Sequence, residues 1–368
     1  MSKIMFHLNC LEQGGAERVV TNLSAQFVQD GYEVIIATEW QAEQEFTLDR
    51  KIRRIHVGLT QEEENRSRIT KYLLRIKHLK RLLQQEQPDV LIAFAHKANY
   101  RALMAALHLS VPVMISVRTD PVGHYDSLLD RILIPWLFPH AAGCVFQTIG
   151  ARDFFPKLLR EHSRIILNPI HDKYIGRAGV IDETKRTKEI VHVGRLVDFK
   201  NQTMLIRAFA SIHRQHPEYT LRLYGGDSQD GTKEILETCI RECHVEDCVT
   251  LVGANDNLAQ EIEHAAFFVF TSDWEGLPNA VMEAMALGLP VISTDCPCGG
   301  PRTLIESGVN GILTPIRDQK ALERAMCRYI EDPAYAEKLG REAGKIANIA
   351  NSHAIYLQWK EYIDSITQ

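Results

Sequence analysis

"AFFVFTSDWEGLPNAVMEAMALGLPVISTD", residues 266–295, reads as a strand, a loop, a helix and a second strand. The end runs are short, apolar and β-rich, whereas "NAVMEAMAL" consists of good helix formers. Pro278 suits the opening of a helix, where a missing N–H costs nothing, and Gly288 suits its end. A strand–helix–strand unit of this kind joins parallel strands. Glu275 falls in the loop beyond the first strand, and Glu283 lies about one turn into the helix. Backbone N–H groups around Leu277, Pro278 and Asn279 open that helix, Pro278 itself supplying none. A helix start of this kind favours oxygen ligands and anions. The alternative is two surface glutamates that merely stabilise a helix start.

The pattern extends along the chain in both directions. "KIMFHLN" (3–9), "YEVIIAT" (32–38), "DVLIAFA" (89–95), "VPVMISV" (111–117) and "AGCVFQT" (142–148) are strand-like in the first half. "EIVHVGRL" (189–196), "YTLRLYGG" (219–226) and "CVTLVGA" (248–254) precede the opening stretch in the second. They are apolar rather than alternating, as expected when both sheet faces are covered. Helical runs separate them; in "AERVVTNLSAQFVQD" (16–30), Val19, Val20, Leu23 and Phe27 share one face. The chain is therefore α/β, with a doubly wound parallel sheet occurring twice. The polar stretch 168–189, with Pro169 and Gly176, reads as a linker. The expected domains are 1–170 and 171–351, with an amphipathic helix at 352–368 (Ile355, Trp359, Tyr362, Ile366) packing back on the first. Two such sheets facing across a cleft would enclose a ligand at the carboxyl ends of their strands.

Composition narrows the possibilities. A net charge of -5 gives no general attraction to nucleic acid. No apolar run is long enough to span a membrane, and the N-terminus lacks a signal-peptide core, so a cytoplasmic location is expected. The eight cysteines are scattered. Cys239, Cys243 and Cys248 with His244 match no common zinc spacing, so free thiols and no metal site are expected.

Further residues stand at strand ends. Arg195 follows one strand and Lys200 comes just before a helix, a pairing suited to clamping a diphosphate. A solvated basic loop is the plainer reading. Gly14 and Gly15 lie between the first strand and helix, where glycine lets a ligand approach the backbone, or simply makes a tight turn. The pair does not form the G-x-G-x-x-G fingerprint of dinucleotide binders. His96 lies just beyond a strand and is either a ligand contact or structural. Arg118 also follows a strand and could meet an acceptor phosphate. No Asp-x-Asp pair occurs, so Arg195, Lys200 and helix N-termini would have to stabilise a leaving diphosphate without a metal ion. Seven cations fall within residues 66–81, a basic helix with Ile69, Leu73, Ile76 and Leu83 on its apolar side. It could meet an anionic membrane or acceptor, or be an ordinary docked helix.

"EGLPNAVME" (275–283) is an E-x7-E signature. With "GGAERV" (14–19) and "GRLVDFKN" (194–201), it makes the chain resemble retaining glycosyltransferase family 4, in its bacterial branch for surface polysaccharides and lipid-linked oligosaccharides. The resemblance spans nearly the whole chain and implies the GT-B fold, two Rossmann-like domains. It implies that Gly14 and Gly15 approach the donor diphosphate and that Arg195 and Lys200 bind it. Glu283 would hold the ribose. Glu275 would face the donor sugar, with the backbone of Leu277, Pro278 and Asn279 contacting its hydroxyls. His96, followed by Asn99, would lie near the sugar's C6 side, and Gly225 and Gly253 would flank the base. "YGGDSQDG" (224–231) departs from the family's common G-D-G loop. The implied activity is transfer, with retention and no cofactor, of a hexose or N-acetylhexosamine from a nucleotide sugar, in first place a UDP-sugar. The implied acceptor is a lipid-linked or lipopolysaccharide saccharide, with the protein peripheral on the inner face of the plasma membrane. The competing readings are a non-catalytic accessory subunit and a nucleotide-sugar epimerase of the same fold.

Overall fold

The computed structural model describes residues 2–12, 14–176 and 186–367; residues 177–185 of the expected linker lie outside the described residues. The chain forms two compact units, Met1–Asn168 with Ser352–Gln368, and Pro169–Asn351.

The first unit carries strands β1 (Lys3–Leu8), β2 (Glu33–Thr38), β3 (Arg53–His56), β4 (Val90–Phe94), β5 (Val113–Ser116), β6 (Gly143–Phe146) and β7 (Ser163–Ile165). They form one sheet in the order β3-β2-β1-β4-β5-β6-β7, and every pair is parallel. Its helices are α1 (Gly15–Gln29), α2 (Arg68–Glu86), α3 (His96–Ala106), α4 (Leu128–Leu137), α5 (Ile149–Asp153) and α6 (Lys157–Glu161). The crossover β1–β2 runs toward one edge, whereas β4–β5–β6 runs toward the other. Right-handed connections therefore place α1 on one face and α2, α3 and α4 on the opposite face. The helix α15 (Ser352–Thr367) joins the α1 face. Its Trp359 is fully buried and stacks on Phe94 at 5.5 Å. The Tyr362 hydroxyl accepts from Cys144 N (2.9 Å) and donates to His162 O (2.6 Å), tying the helix to β6.

The apolar side that the sequence gives α2 is only partly buried. Leu79, Leu82 and Leu83 are buried, while Ile69 and Leu73 are exposed. The helix turns basic groups inward instead. Arg75 Nε lies 3.1 Å from the buried Glu39 carboxylate, Lys71 pairs with Glu64 at 3.0 Å, and His78 Nδ1 contacts Gly58 O at 2.9 Å. Polar anchors thus set the rotation of α2, against its own apolar pattern.

The second unit repeats the plan with β8 (Glu189–Val193), α7 (Gln202–His213), β9 (Thr220–Tyr224), α8 (Thr232–Cys243), β10 (Val249–Gly253), α9 (Leu258–Ile262) and β11 (Phe267–Phe270). It continues with α10 (Asn279–Ala286), β12 (Val291–Thr294), α11 (Gly300–Leu304), β13 (Ile312–Thr314), α12 (Gln319–Glu331), α13 (Pro333–Gly344) and α14 (Ile346–Ala350). The parallel sheet runs β10-β9-β8-β11-β12-β13. The described part of the expected linker is not a free tether. Ile170 and Tyr174 are buried, and Ile170 N donates to Ala350 O at 2.8 Å.

In each sheet the strand order reverses once, between β1 and β4 and between β8 and β11. The helices that follow those strands depart toward opposite faces of the sheet there, which opens a crevice at the strands' carboxyl ends. These two switch points fix where a site can form in each unit.

Candidate active site

The second switch point brings together loops 75 residues apart in sequence. Beyond β8, a single 3-10 turn, Asp198–Lys200, ends at Asn201 in a left-handed conformation (φ 50°). Beyond β11 runs the segment 271–278. Thr271 Oγ1 donates to Lys200 O at 2.9 Å, and Asp273 N donates to Phe199 O at 2.8 Å. Asn201 Nδ2 donates to Asp273 Oδ1 at 3.1 Å, and the Phe199 and Trp274 rings stack at 4.1 Å. Four cross-links of different kinds therefore hold the loops in register.

Lys200 Nζ and Glu275 Oε1 form an ion pair across the two loops. Ser272 Oγ donates to the same carboxylate oxygen at 3.2 Å. The pair is largely shielded from water, and Lys200 Nζ also sits 4.7 Å from the Phe270 ring centroid. Removing one partner would leave the other charge poorly solvated. Arg195 is placed differently. Its carbonyl accepts from the buried Gln202 side chain at 2.9 Å, but its guanidinium is exposed and makes no ion pair among the described residues. The turn thus presents one fixed cation already paired and one free cation five residues before it.

Gly225 explains how close the backbone comes. A Cβ there would lie 1.9 Å from Gly194 O, and φ is 153°, so only glycine fits beside the Gly194–Arg195 turn. Gly253 O accepts from Gly225 N at 2.9 Å. On the other side, α10 begins directly after Pro278 and buries Val281, Met282 and Met285, leaving Glu283 half-buried one turn in. Leu277 and Pro278 are buried and Asn279 half-buried. A Cβ on Gly300 would strike Gly276 O at 1.7 Å, so the loop before α11 supports this helix start.

Sequence reasoning did not single out His192. It is fully buried in β8, its Nδ1 meets Val269 O at 2.9 Å, and its Nε2 has no hydrogen-bond partner among the described residues. Burial, aided by the Lys200 charge and opposed by the Val269 contact, pulls its pKa down to about 4. The imidazole is therefore neutral beneath the Lys200 turn. A histidine inside an apolar strand run was the signal available.

At the first switch point His96 opens α3, preceded by Ala95 at φ 82°, a strained value for a residue with a Cβ. His96 Nε2 lies 3.1 Å from Asp130 Oδ1, which also accepts from Tyr100 OH at 2.6 Å, and Ser127 Oγ donates to Asp130 Oδ2 at 2.5 Å. Burial works to raise the Asp130 carboxyl. The hydrogen bonds from Ser127, Tyr100 and His96 outweigh it and hold the group below the usual carboxylate range. Asn99 is buried on Ser116 O (3.0 Å) and Tyr125 OH (3.2 Å). Gly14 sits just before α1, where a Cβ would come within 2.3 Å of the Glu17 carboxylate. Gly15 is the first residue of α1. A carboxylate therefore lies against Gly14.

Arg118 is held within the first unit. Its guanidinium lies over Phe94 (5.0 Å) and Trp359 (5.5 Å) and donates to Ser116 Oγ and Asn168 Oδ1, both at 2.7 Å. The proximity of β5 to the C-terminal helix, invisible in sequence, makes it a strut in the first unit.

Comparison with known proteins places this geometry. Residues 13–173 match the family described as Glycosyltransferase Family 4, and residues 179–346 the one described as Glycosyl transferases group 1. A Campylobacter jejuni N-acetylgalactosamine-N,N'-diacetylbacillosaminyl-diphospho-undecaprenol 4-alpha-N-acetylgalactosaminyltransferase is 27% identical, over 90% of this chain and 91% of that one. A second protein of that organism, a GalNAc-alpha-(1->4)-GalNAc-alpha-(1->3)-diNAcBac-PP-undecaprenol alpha-1,4-N-acetyl-D-galactosaminyltransferase, is 22% identical over 100% of this chain and 99% of its own. The crystal structure of Anabaena HepE in complex with UDP superposes with a TM-score of 0.80 at 18% identity, covering 99% of this chain and 100% of that one, a likeness of fold. Both parallel-sheet units are thus Rossmann-like, and the structural neighbours are glycosyltransferases of the GT-B kind.

Proposed function

Because the chain belongs to the glycosyltransferases, we propose that it moves a hexose or N-acetylhexosamine from a UDP-sugar to a lipid-linked or lipopolysaccharide saccharide in bacterial surface glycan synthesis, with retention of configuration. The observation that carries this reading is the Lys200–Glu275 pair at the second switch point, with the free Arg195 beside it. Two cations at a strand–turn–helix join are suited to a diphosphate. Glu275, held by Lys200 and Ser272, would accept from hydroxyls of the donor sugar near the start of α10. Glu283 would take the ribose, and Gly225 and Gly253 would line the base. In the first unit, His96, fixed by Asp130, would meet the reacting sugar, and the Gly14–Gly15 turn would approach the diphosphate once Glu17 moves off it.

Charge develops on the leaving phosphate oxygen as the bond to the anomeric carbon breaks. Arg195 and Lys200 stabilise it, so the reaction needs no divalent cation. The acceptor hydroxyl attacks from the leaving-group face and the departing phosphate takes its proton, so no protein nucleophile is needed. Both UDP-bound neighbours and relatives acting on undecaprenol-linked saccharides support the choice of substrates. The test is UDP release from UDP-hexoses and UDP-N-acetylhexosamines in EDTA, with lipid-linked saccharides as acceptors and the product anomer read by NMR. Acceptor-dependent release giving the donor's anomeric configuration is expected. An inverted product, a requirement for metal, or epimerisation without acceptor would refute it.

A further inference from the structure

In the second unit the Lys200–Glu275 ion pair bridges the two loops of the switch point. The first unit holds a buried counterpart. Arg101, in the second turn of α3, pairs with Glu39, the residue after β2, and the two side chains are 4% and 2% exposed. The same guanidinium donates through Nη2 to Asn9 Oδ1, just after β1, at 2.6 Å. Asn9 O in turn accepts from Glu39 N at 2.8 Å and from Trp40 N at 3.1 Å. Arg75 Nε of α2 approaches the other Glu39 oxygen at 3.1 Å. His7 Nε2 lies 3.8 Å from Glu39 Oε1, and burial together with the Arg101 charge keeps that imidazole neutral. Burial pushes the Glu39 carboxyl up, and Arg101, then Arg75, pull it back. A buried ion pair is worth little more to stability than apolar residues of the same volume. What this one adds is direction, a planar fork aimed at two loops at once.

We propose that Arg101 is a positioning residue: through Glu39 and Asn9 it holds the loops beyond β1 and β2 against α3. The loop beyond β1 leads to the Gly14–Gly15 turn, and α3 opens with His96, five residues before Arg101. One guanidinium therefore fixes the spacing between those two parts of the first switch point. Arginine suits the place, because a lysine, a single point charge, cannot grip a carboxylate and an amide oxygen in fixed directions. Groups that meet a substrate lose rate when they are displaced by as little as about 1 Å. That the spacing matters to transfer rests on the proposed function, whereas the hold on the loops does not.

Hydrogen exchange and kinetics of the full chain carrying Glu39→Met/Arg101→Met test the proposal. The double variant removes both buried charges, and Arg75 keeps Glu64 as a partner at 3.4 Å. Its denaturant midpoint and its affinity for UDP should stay at the wild-type values. Peptides carrying the Glu39 and Trp40 amides should exchange at least about tenfold faster. The kcat for sugar transfer should fall at least about tenfold, with the donor KM unchanged. Asn9→Ala, which leaves the ion pair in place, should show the same two losses and covers the case of a double variant that does not fold. Exchange unchanged in both variants would overturn the proposal. So would a wild-type kcat beside faster exchange, which would leave the pair a structural tie. A wild type that releases no UDP from any donor would refute the proposed function, and the exchange result would then decide this inference by itself.

Discussion

The two switch points share a topology and carry different side chains. In the second unit, the loops beyond β8 and β11 present Arg195 free and Lys200 tied to Glu275. In the first unit, the loops beyond β1 and β4 present Glu17 curled on Gly14, and His96 held by a carboxylate kept ionised by three hydrogen bonds. The same strand reversal gathers an arginine and a lysine–glutamate pair in one unit, and two carboxylates with a histidine in the other. Topology chooses where the site is, and a few loop side chains choose what it takes.

The glycines give the sharpest contrast. Gly225→Ala would place a Cβ 1.9 Å from Gly194 O at a φ of 153°. Backbone must move, and strain and overpacking together should cost about 3–5 kcal/mol. Gly14→Ala meets only the far end of the flexible Glu17 side chain, at an ordinary φ of -108°. It should change stability by less than about 1 kcal/mol. Denaturant unfolding of both variants checks this, and equal losses would break the comparison.

Lys200→Ala removes the paired cation of the second switch point. The rate of transfer should fall about 10²–10³-fold, the loss typical of deleting one fixed charge-stabilising donor. Arg118→Ala, on the strut of the first unit, should lower stability while leaving the affinity for nucleotide unchanged. Initial rates and UDP titration of the two variants separate the roles, and a Lys200→Ala enzyme of normal rate would refute the clamp.

Acid offers a milder probe. The folded value of His192, about 4, lies below the ordinary 6.5, so the unfolded chain takes up its proton first. The stability tied to neutral His192 is complete above pH 6.5 and is lost as the pH falls toward 4, at about 1.4 kcal/mol per pH unit. His7 in the first unit, lowered to about 3 by burial and the Arg101 charge, extends the loss further into acid. Thermal melts of wild type and His192→Phe between neutral and acid pH should show a shallower slope for the variant; parallel slopes would contradict the assignment.

The sheets were legible because strands covered on both faces must be apolar, and the interruptions at "GG", "GRLVDFKN" and "DWEGLPN" mark the loops. That Lys200 and Glu275 meet was not legible. It depends on β8 lying beside β11, and strand order leaves no mark in local sequence. The same reason hid the Arg118 strut and the Asp130–His96 contact. Which side of α2 is buried was not legible, because its leucines and isoleucines compete with Arg75, Lys71 and His78, whose partners lie on other elements. The polar stretch after Asn168 looked like a linker because its buried residues, Ile170 and Tyr174, are too few to show a period.

The central claim is that Arg195 and Lys200 at the second switch point bind a nucleotide diphosphate. Calorimetric titration with UDP, GDP, ADP and CMP in EDTA tests it most directly, on the wild type, Arg195→Ala and Lys200→Ala. The account predicts selective UDP binding without metal, weakened at least about tenfold in each variant, the loss of one charge-assisted contact. A folded wild type that binds none of the four, or UDP affinity indifferent to both substitutions, would contradict it.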